Sequence, residues 1–457
     1  MVRSVTPAGR LSGPGLWPRT AWLGLLGAAL WSPVVVAGAW FALHHIPGAA
    51  PWAADTLRSV IGVDGVARLE GFAYGVEDRV LTVWRRGERP KAHWAVPPPA
   101  LPAPTVPVVA LIQTPAPGPA LDANALAARL PEVGLPEAAF VAPASLGRRR
   151  GDHDEPEPVS VTPFRPRNVG PMLESWSAPG DGEWVVLPDS TPLDSARMFK
   201  TLLHPDPDRS WAELFVVALD LRRVRLYTVP GTVEPQATLP EALEMPRPGR
   251  VPDEHHQAVL AAFNGGFKTE HGHYGMYVNG VTIVPPNEAS CTIAYFKDFS
   301  LRIGSWPKVR DQLDEITWWR QTPTCMFEDG KMHPRMAEGF VTRWGSTVDG
   351  ETVIRRSAIG IDADGKTLFV GISNHTTAPA IANGMRHAGA VTVAQLDINF
   401  SFPKFVTFRP SRISKLRVAV PLTDDFEYSE HEYLRKASNR DFFYVLDASL
   451  DGRTASN

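Results

Sequence analysis

Val259-Leu-Ala-Ala-Phe-Asn264-Gly265-Gly266-Phe267-Lys268, followed by His271-Gly272-His273-Tyr274-Gly275-Met276, is the stretch on which the reading of this chain turns. Its first half is a short apolar run of buried-strand type, and it breaks at a glycine pair whose backbone is free to take positive φ. A strand that ends this way makes backbone N–H groups available to a ligand. Such a nest suits an anion, with Lys268, His271 and His273 close by to reinforce it. A tight turn between two strands is the plainer reading of the same tripeptide.

Outward from this stretch the pattern stays β. Trp184-Val-Val-Leu, Leu214-Phe-Val-Val-Ala-Leu, Val224-Arg-Leu-Tyr-Thr-Val and Met276-Tyr-Val are β-branched or aromatic runs bounded by Pro, Gly and Asp. Asn279-Gly280, Asp329-Gly330, Asp349-Gly350 and Asp364-Gly365 supply the dipeptides that two-residue hairpins prefer. Asp362-Ala-Asp364-Gly365 lacks the further ligands of a calcium loop and reads as a turn. One helix stands out, capped by Thr376 or Thr377, with Ile381, Ala382 and Met385 as its apolar stripe and Gly389 closing it. Because it lies between strands 368–372 and 391–396, those two are expected to be parallel neighbours. The fold class predicted is α+β: a mixed, hairpin-rich β-sheet with a few packed helices.

Ala261-Ala-Phe-Asn-Gly-Gly-Phe267, Tyr274-Gly-Met-Tyr-Val-Asn-Gly280, Arg355-Arg-Ser-Ala-Ile-Gly-Ile361 and Gln395-Leu-Asp-Ile-Asn399 together resemble the phosphodiester glycosidase family, over roughly 182–408. That family includes the enzyme that uncovers phosphomannosyl signals by removing N-acetylglucosamine. The resemblance implies hydrolysis of a sugar-phosphate diester at the anomeric carbon; no cofactor and no metal site are expected. An oxocarbenium-like transition state needs a carboxylate near C1, and Asp397 is the candidate. The leaving phosphate needs its charge held, a task for the bidentate fork of a guanidinium. Strand alternation lets only one of Arg355 and Arg356 face the site, and the family pattern points to Arg356. Asn264, Gly265, Gly266, Phe267, Lys268, His273 and Asn399 are the expected substrate-binding residues. One departure stands against the pattern. Where the family carries Leu-Asp-Gly-Gly-Gly-Ser, this chain has Ile398 and Asn399 after Asp397, so the second glycine-rich turn is lost.

The rest of the chain reads as a tether. Residues 1–20 carry Arg3, Arg10 and Arg19, and a mostly apolar run follows over 21–46. Some 20 such residues span a bilayer, and the cationic flank predicts a cytoplasmic N-terminus with the C-terminal domain periplasmic or extracellular. A signal peptide cleaved near Ala37-Gly38-Ala39 is the competing reading. Over 51–95 a small juxtamembrane helical segment is expected, since Leu69, Phe72, Ala73 and Val76 fall on one helical face. Residues 96–175 read as a mostly disordered linker, with nine prolines in the 23 positions from Pro97 to Pro119. The folded domain is placed at 176–450.

Composition excludes little but is consistent. With 44% hydrophobic and 21% charged residues, the 457-residue chain is of ordinary globular type, and a net charge of -3 gives no nucleic-acid footprint. Cys291 and Cys325 are the two cysteines, either a pair in an oxidising compartment or two buried thiols. His271-x-His273 would face one way on a strand, yet no Cys or carboxylate stands nearby at a recognisable zinc spacing. The function expected is that of a membrane-tethered, exported hydrolase acting on envelope glycan or exopolysaccharide. Its rival is a non-catalytic protein on the same fold that binds a glycan or phosphate polymer.

Overall fold

The computed structural model describes residues 49–95, 163–188, 191–338, 352–411 and 416–450, together with Gly38 and Trp344. The apolar run at 21–46, the proline-rich tract at 97–119 and the turn at Asp349-Gly350 lie outside the described residues. No helix among the described residues is long and apolar enough to cross a membrane.

Three sheets carry the domain, and every ladder in them is antiparallel. The largest runs β1 (Val185–Val186), β2 (Met198–Leu203), β3 (Leu214–Asp220), β14 (Thr367–Thr376), β13 (Ile354–Ile361), β15 (Thr392–Gln395), β11 (Phe327–Glu328), β12 (Lys331–Met332). A second runs β7 (Val281–Val284), β6 (Met276–Val278), β10 (Ile316–Thr322), β8 (Cys291–Phe296), β9 (Leu301–Ser305). The third runs β17 (Arg417–Pro421), β16 (Phe405–Pro410), β5 (Val259–Asn264), β18 (Phe442–Asp447), β4 (Val224–Val229). One face of the large sheet, with Phe215, Val217, Ile359, Val370, Ile372, Ala394 and Leu396, joins a core shared with Phe263, Phe443 and Trp318 of the other two sheets. Its opposite face, with Val216, Ala358, Phe369 and Val393, is roofed by a helix.

Of two helices that matter here, α1 (Ala49–Trp84) is broken at Gly62, where φ is 76°. The second, α2 (Ala378–His387), is the predicted capped helix: Thr377 Oγ1 accepts the Ala380 N–H at 3.3 Å, and Gly389 ends the turn beyond it at φ 120°. Ile381, Ala382 and Met385 are fully buried on the large sheet, each of the two larger ones adding roughly 1.5–3 kcal/mol. Gly371 leaves the space on β14 that Met385 fills.

Three expectations are corrected. β14 and β15 run in the same direction but are not neighbours, because β13 is inserted between them and pairs antiparallel with both. A crossover helix thus spans one intervening strand. Residues 163–175, expected to close the linker, pack on the domain: Phe164 is buried against Phe199, Val169 N–H donates to Gly182 O, and Asn168 Oδ1 accepts Trp184 N–H. His273 is not on a strand at all, since it follows a 3-10 turn over Thr269–His271 and has a positive φ of 48°.

Asn279-Gly280 and Asp329-Gly330 hold positive φ at both positions, as two-residue hairpin turns require. Cys291 on β8 and Cys325 just before β11 are disulfide-bonded across 34 residues, tying the second sheet to the edge of the large one. Closing a loop of this size constrains the unfolded chain by about 4 kcal/mol. Reduction, or Cys325→Ala, should therefore lower the thermal midpoint by several degrees in calorimetry; an unchanged midpoint would show that the bridge does not limit stability.

Candidate active site

The site lies where β5 and β15 end, beside the first half of β13 and the start of β18. Asp397 leaves β15 with its backbone N–H donating to Gly265 O at 3.0 Å, so the two quoted motifs meet in space. Its carboxylate is buried. Oδ2 accepts from Arg440 Nη2 at 2.5 Å, and Oδ1 accepts the Ile398 N–H at 3.0 Å. Burial pushes this carboxyl up to about 6; Arg440 opposes the rise only in part, and the nearby Asp441 charge adds to it.

Arg440 is also 6% exposed and lies over the Phe402 ring at 4.4 Å. Its Nε is buried and makes no hydrogen bond among the described residues. Nη2 is thus spent on Asp397, while the buried Nε is left without a partner among the described residues.

The Asn264-Gly265-Gly266 turn is built differently from its sequence reading. Neither glycine has a φ in the left-handed range that L side chains avoid. They are required for close approach: a Cβ on Gly265 would strike the Asp441 carboxylate, and one on Gly266 would sit 2.8 Å from Arg320 Cζ. Both N–H groups are already satisfied, Gly265 N–H by Asp441 O at 2.9 Å and Gly266 N–H by Asp441 Oδ2 at 3.0 Å. The nest holds an anion, but that anion is the chain's own carboxylate. Asp441 in turn pairs with Arg320 on β10, Nε to Oδ2 at 2.9 Å, both side chains having no exposed surface. The same guanidinium donates to the carbonyls of Phe267, Tyr274 and Gln321, fixing the loop after the glycines.

Asn264 has no free amide group to offer. Nδ2 donates to Ser357 Oγ at 2.8 Å, Oδ1 accepts Lys404 N–H at 3.1 Å, and Ser357 Oγ donates to Asp397 O at 2.7 Å. Asn264 and Ser357 therefore position Asp397 from beneath.

Arg356 is not brought to this site. It points to the opposite face of β13 from Ser357, with Nε donating to Thr376 O at 3.0 Å and the Nη atoms to Trp344 O, Thr352 O and Gln395 Oε1. Without a carboxylate among these partners, burial holds its pKa down to about 9. Arg355 takes the site's face instead, stacked on Phe400 and Phe426 and donating to the carbonyls of Phe400 and Asp425. Asn399 has φ 99°; its N–H donates to Arg355 O, and its Oδ1 accepts from Tyr74 OH of α1 at 2.8 Å. Phe267 is buried, Lys268 lies 3.6 Å from Glu270, and His273 is exposed. No hydrogen bond or ion pair among the described residues joins these three to Asp397.

Residues 257–397 match the phosphodiester glycosidase family. Over this stretch, about a third of its length, the chain is similar to that family. The match opens just before β5 and closes on Asp397, so Arg440 and Asp441 lie beyond it. Among solved structures, the catalytic domain of zebrafish N-acetylglucosamine-1-phosphodiester alpha-N-acetylglucosaminidase is similar at 16% identity and TM-score 0.34, covering 58% of this chain and 87% of that one. A hypothetical protein from Synechocystis is similar at 10% identity and TM-score 0.29, covering 55% and 62%. No curated protein matches the chain.

Sequence reasoning missed Arg440, Asp441, Arg320 and Ser357. Two signals for them were present: Arg440-Asp441 immediately precedes the apolar Phe442–Leu446, and Arg320 interrupts the apolar Trp318-Trp319 run. A charge so placed is buried and must be paired. Removing one partner of such a pair costs about 3–5 kcal/mol. Asp441→Ala and Arg320→Met should each lower urea stability by that order, while the double variant loses clearly less than their sum. Strict additivity would show that the two charges do not depend on each other.

Proposed function

We propose that this domain hydrolyses a sugar-phosphate diester at the anomeric carbon, using Asp397 and Arg440. The observation that carries the reading is their juxtaposition: a buried carboxylate at the end of the family's matched stretch, and 2.5 Å from it a guanidinium whose buried Nε has no partner among the described residues. A carboxylate at this place suits positive charge developing on C1, and the fork beside it suits the departing phosphate. Arg440 takes the part that the family pattern had suggested for Arg356. Because phosphate is already a good leaving group, little proton donation is required of the protein. Desolvation of Asp397 strengthens its interaction with the sugar carbon, at the cost of a raised pKa.

The chain is further proposed to be an exported protein held at the cell membrane by the apolar run 21–46, N-terminus inside, with a glycan or sugar-phosphate of the envelope as substrate. Support for this comes from the sequence, in the arginines before the run and its length. Absence of glycines after Asp397 is the feature that favours the rival, a binding protein without turnover.

Product release from a panel of sugar phosphodiesters, including nucleotide sugars and wall-polymer fragments, separates the two. For an active substrate, Asp397→Asn should cut kcat by orders of magnitude with little change in ground-state binding, whereas Arg440→Lys should impair both. Since the anionic form of Asp397 is the working one and its pKa is about 6, kcat/KM should rise with pH through that value and level off above it. Unchanged turnover in folded Asp397→Asn, judged by melting temperature, would remove the catalytic assignment.

A further inference from the structure

The helix α1 has two faces of opposite character. Its inner face is fixed to the domain: Tyr74 OH reaches Asn399, Asp78 receives Arg209 Nε and Nη2 at 2.7 Å each, and Val66 is buried. Its outer face, at a strict helical spacing, consists of Arg68, Leu69, Phe72, Gly75, Val76, Arg79, Val80, Val83 and Trp84, all exposed. Phe72, Val83 and Trp84 are 70%, 79% and 82% exposed, far more than large apolar side chains left over from a packed surface. Arg86 follows in the turn beyond, also exposed. The acidic residues of this part of the helix, Glu70, Glu77 and Asp78, are half-buried, and Asp78 is held by Arg209.

An apolar stripe with Phe and Trp, flanked by arginines and free of carboxylates, is the pattern of a helix that lies in the plane of an anionic lipid surface. We propose that the outer face of α1 binds an anionic phospholipid bilayer surface. The charge pattern is what commits the stripe to lipid: a second copy would set Arg68, Arg79 and Arg86 against the same arginines. This contact is separate from the apolar run at 21–46 and does not require the domain to be an enzyme. It places the membrane against one side of α1 and Asn399, two residues from Asp397, against the other.

The full chain suits the test, because its two native cysteines are bridged and Val80→Cys adds a single free thiol. A nitrobenzoxadiazole label there is followed in vesicles of phosphatidylcholine alone and of phosphatidylcholine with phosphatidylglycerol, with a label at Leu313→Cys as the control on an exposed site elsewhere. The Val80 label should shift to the blue and become quenchable by lipid-confined doxyl groups on the anionic vesicles only. High salt, or Arg68→Gln, Arg79→Gln and Arg86→Gln combined, should abolish the shift, and the Leu313 label should not respond. A Val80 label equally aqueous on both lipids overturns the proposal. So does a shift that is the same on neutral lipid and indifferent to salt, or one that appears without vesicles as protein concentration rises, which would mark a second copy as the occupant. The readout does not depend on turnover, so a failed hydrolysis assay leaves it standing.

Discussion

The arrangement depends first on the buried pair between Asp441 and Arg320. Two charges out of water are costly unless every hydrogen-bonding group finds a partner, and here nearly all do. Asp441 takes the guanidinium of β10 and the Gly266 N–H, while Arg320 spends its remaining donors on three carbonyls of the loops around it. The consequence is a rigid floor. With Asn264-Gly265-Gly266 pinned, Gly265 O holds the backbone of Asp397, and Arg440, next in the chain to Asp441, is delivered to the Asp397 carboxylate. Glycine is needed at 265 and 266 because this floor leaves no room for a Cβ.

Two neighbouring residues on one strand end thus serve different ends. Asp441 faces down into a fully satisfied ion pair and has no capacity left for a ligand. Arg440 faces a carboxylate that burial has made reluctant to ionise, and it keeps an unspent Nε. A guanidinium in that condition gains from a further anion, whereas the pair beneath does not. Arg356, fully buried among carbonyls, resembles the lower pair in being structurally consumed.

The class of fold was legible because its signals are local. Hairpins at Asn279-Gly280 and Asp329-Gly330, the Thr377 cap and the Ile381/Met385 stripe need only a few neighbouring residues to be read. Strand order was not, since inserting β13 between β14 and β15 leaves no mark in either strand. At the site, Asp397 and Asn264 could be singled out, but their surroundings could not. The partner that fills the glycine nest is Asp441, 175 positions beyond Gly266. Alternation on β13 correctly leaves one arginine per face, yet which face turns toward Asp397 is decided by where β5 and β18 lie. The outward turn of Leu69, Phe72 and Val76 was equally hidden, because amphipathicity shows that a helix has two faces and not which of them the domain takes.

The central claim is that the bond broken is between C1 of the sugar and oxygen, with the carboxylate of Asp397 beside C1. Hydrolysis in water enriched in oxygen-18, followed by mass spectrometry of both products, reads the cleaved bond directly. The account predicts label on the anomeric hydroxyl of the released sugar and none in the phosphate. Label in the phosphate instead would mean attack at phosphorus, and Asp397 would then have no oxocarbenium ion to stabilise.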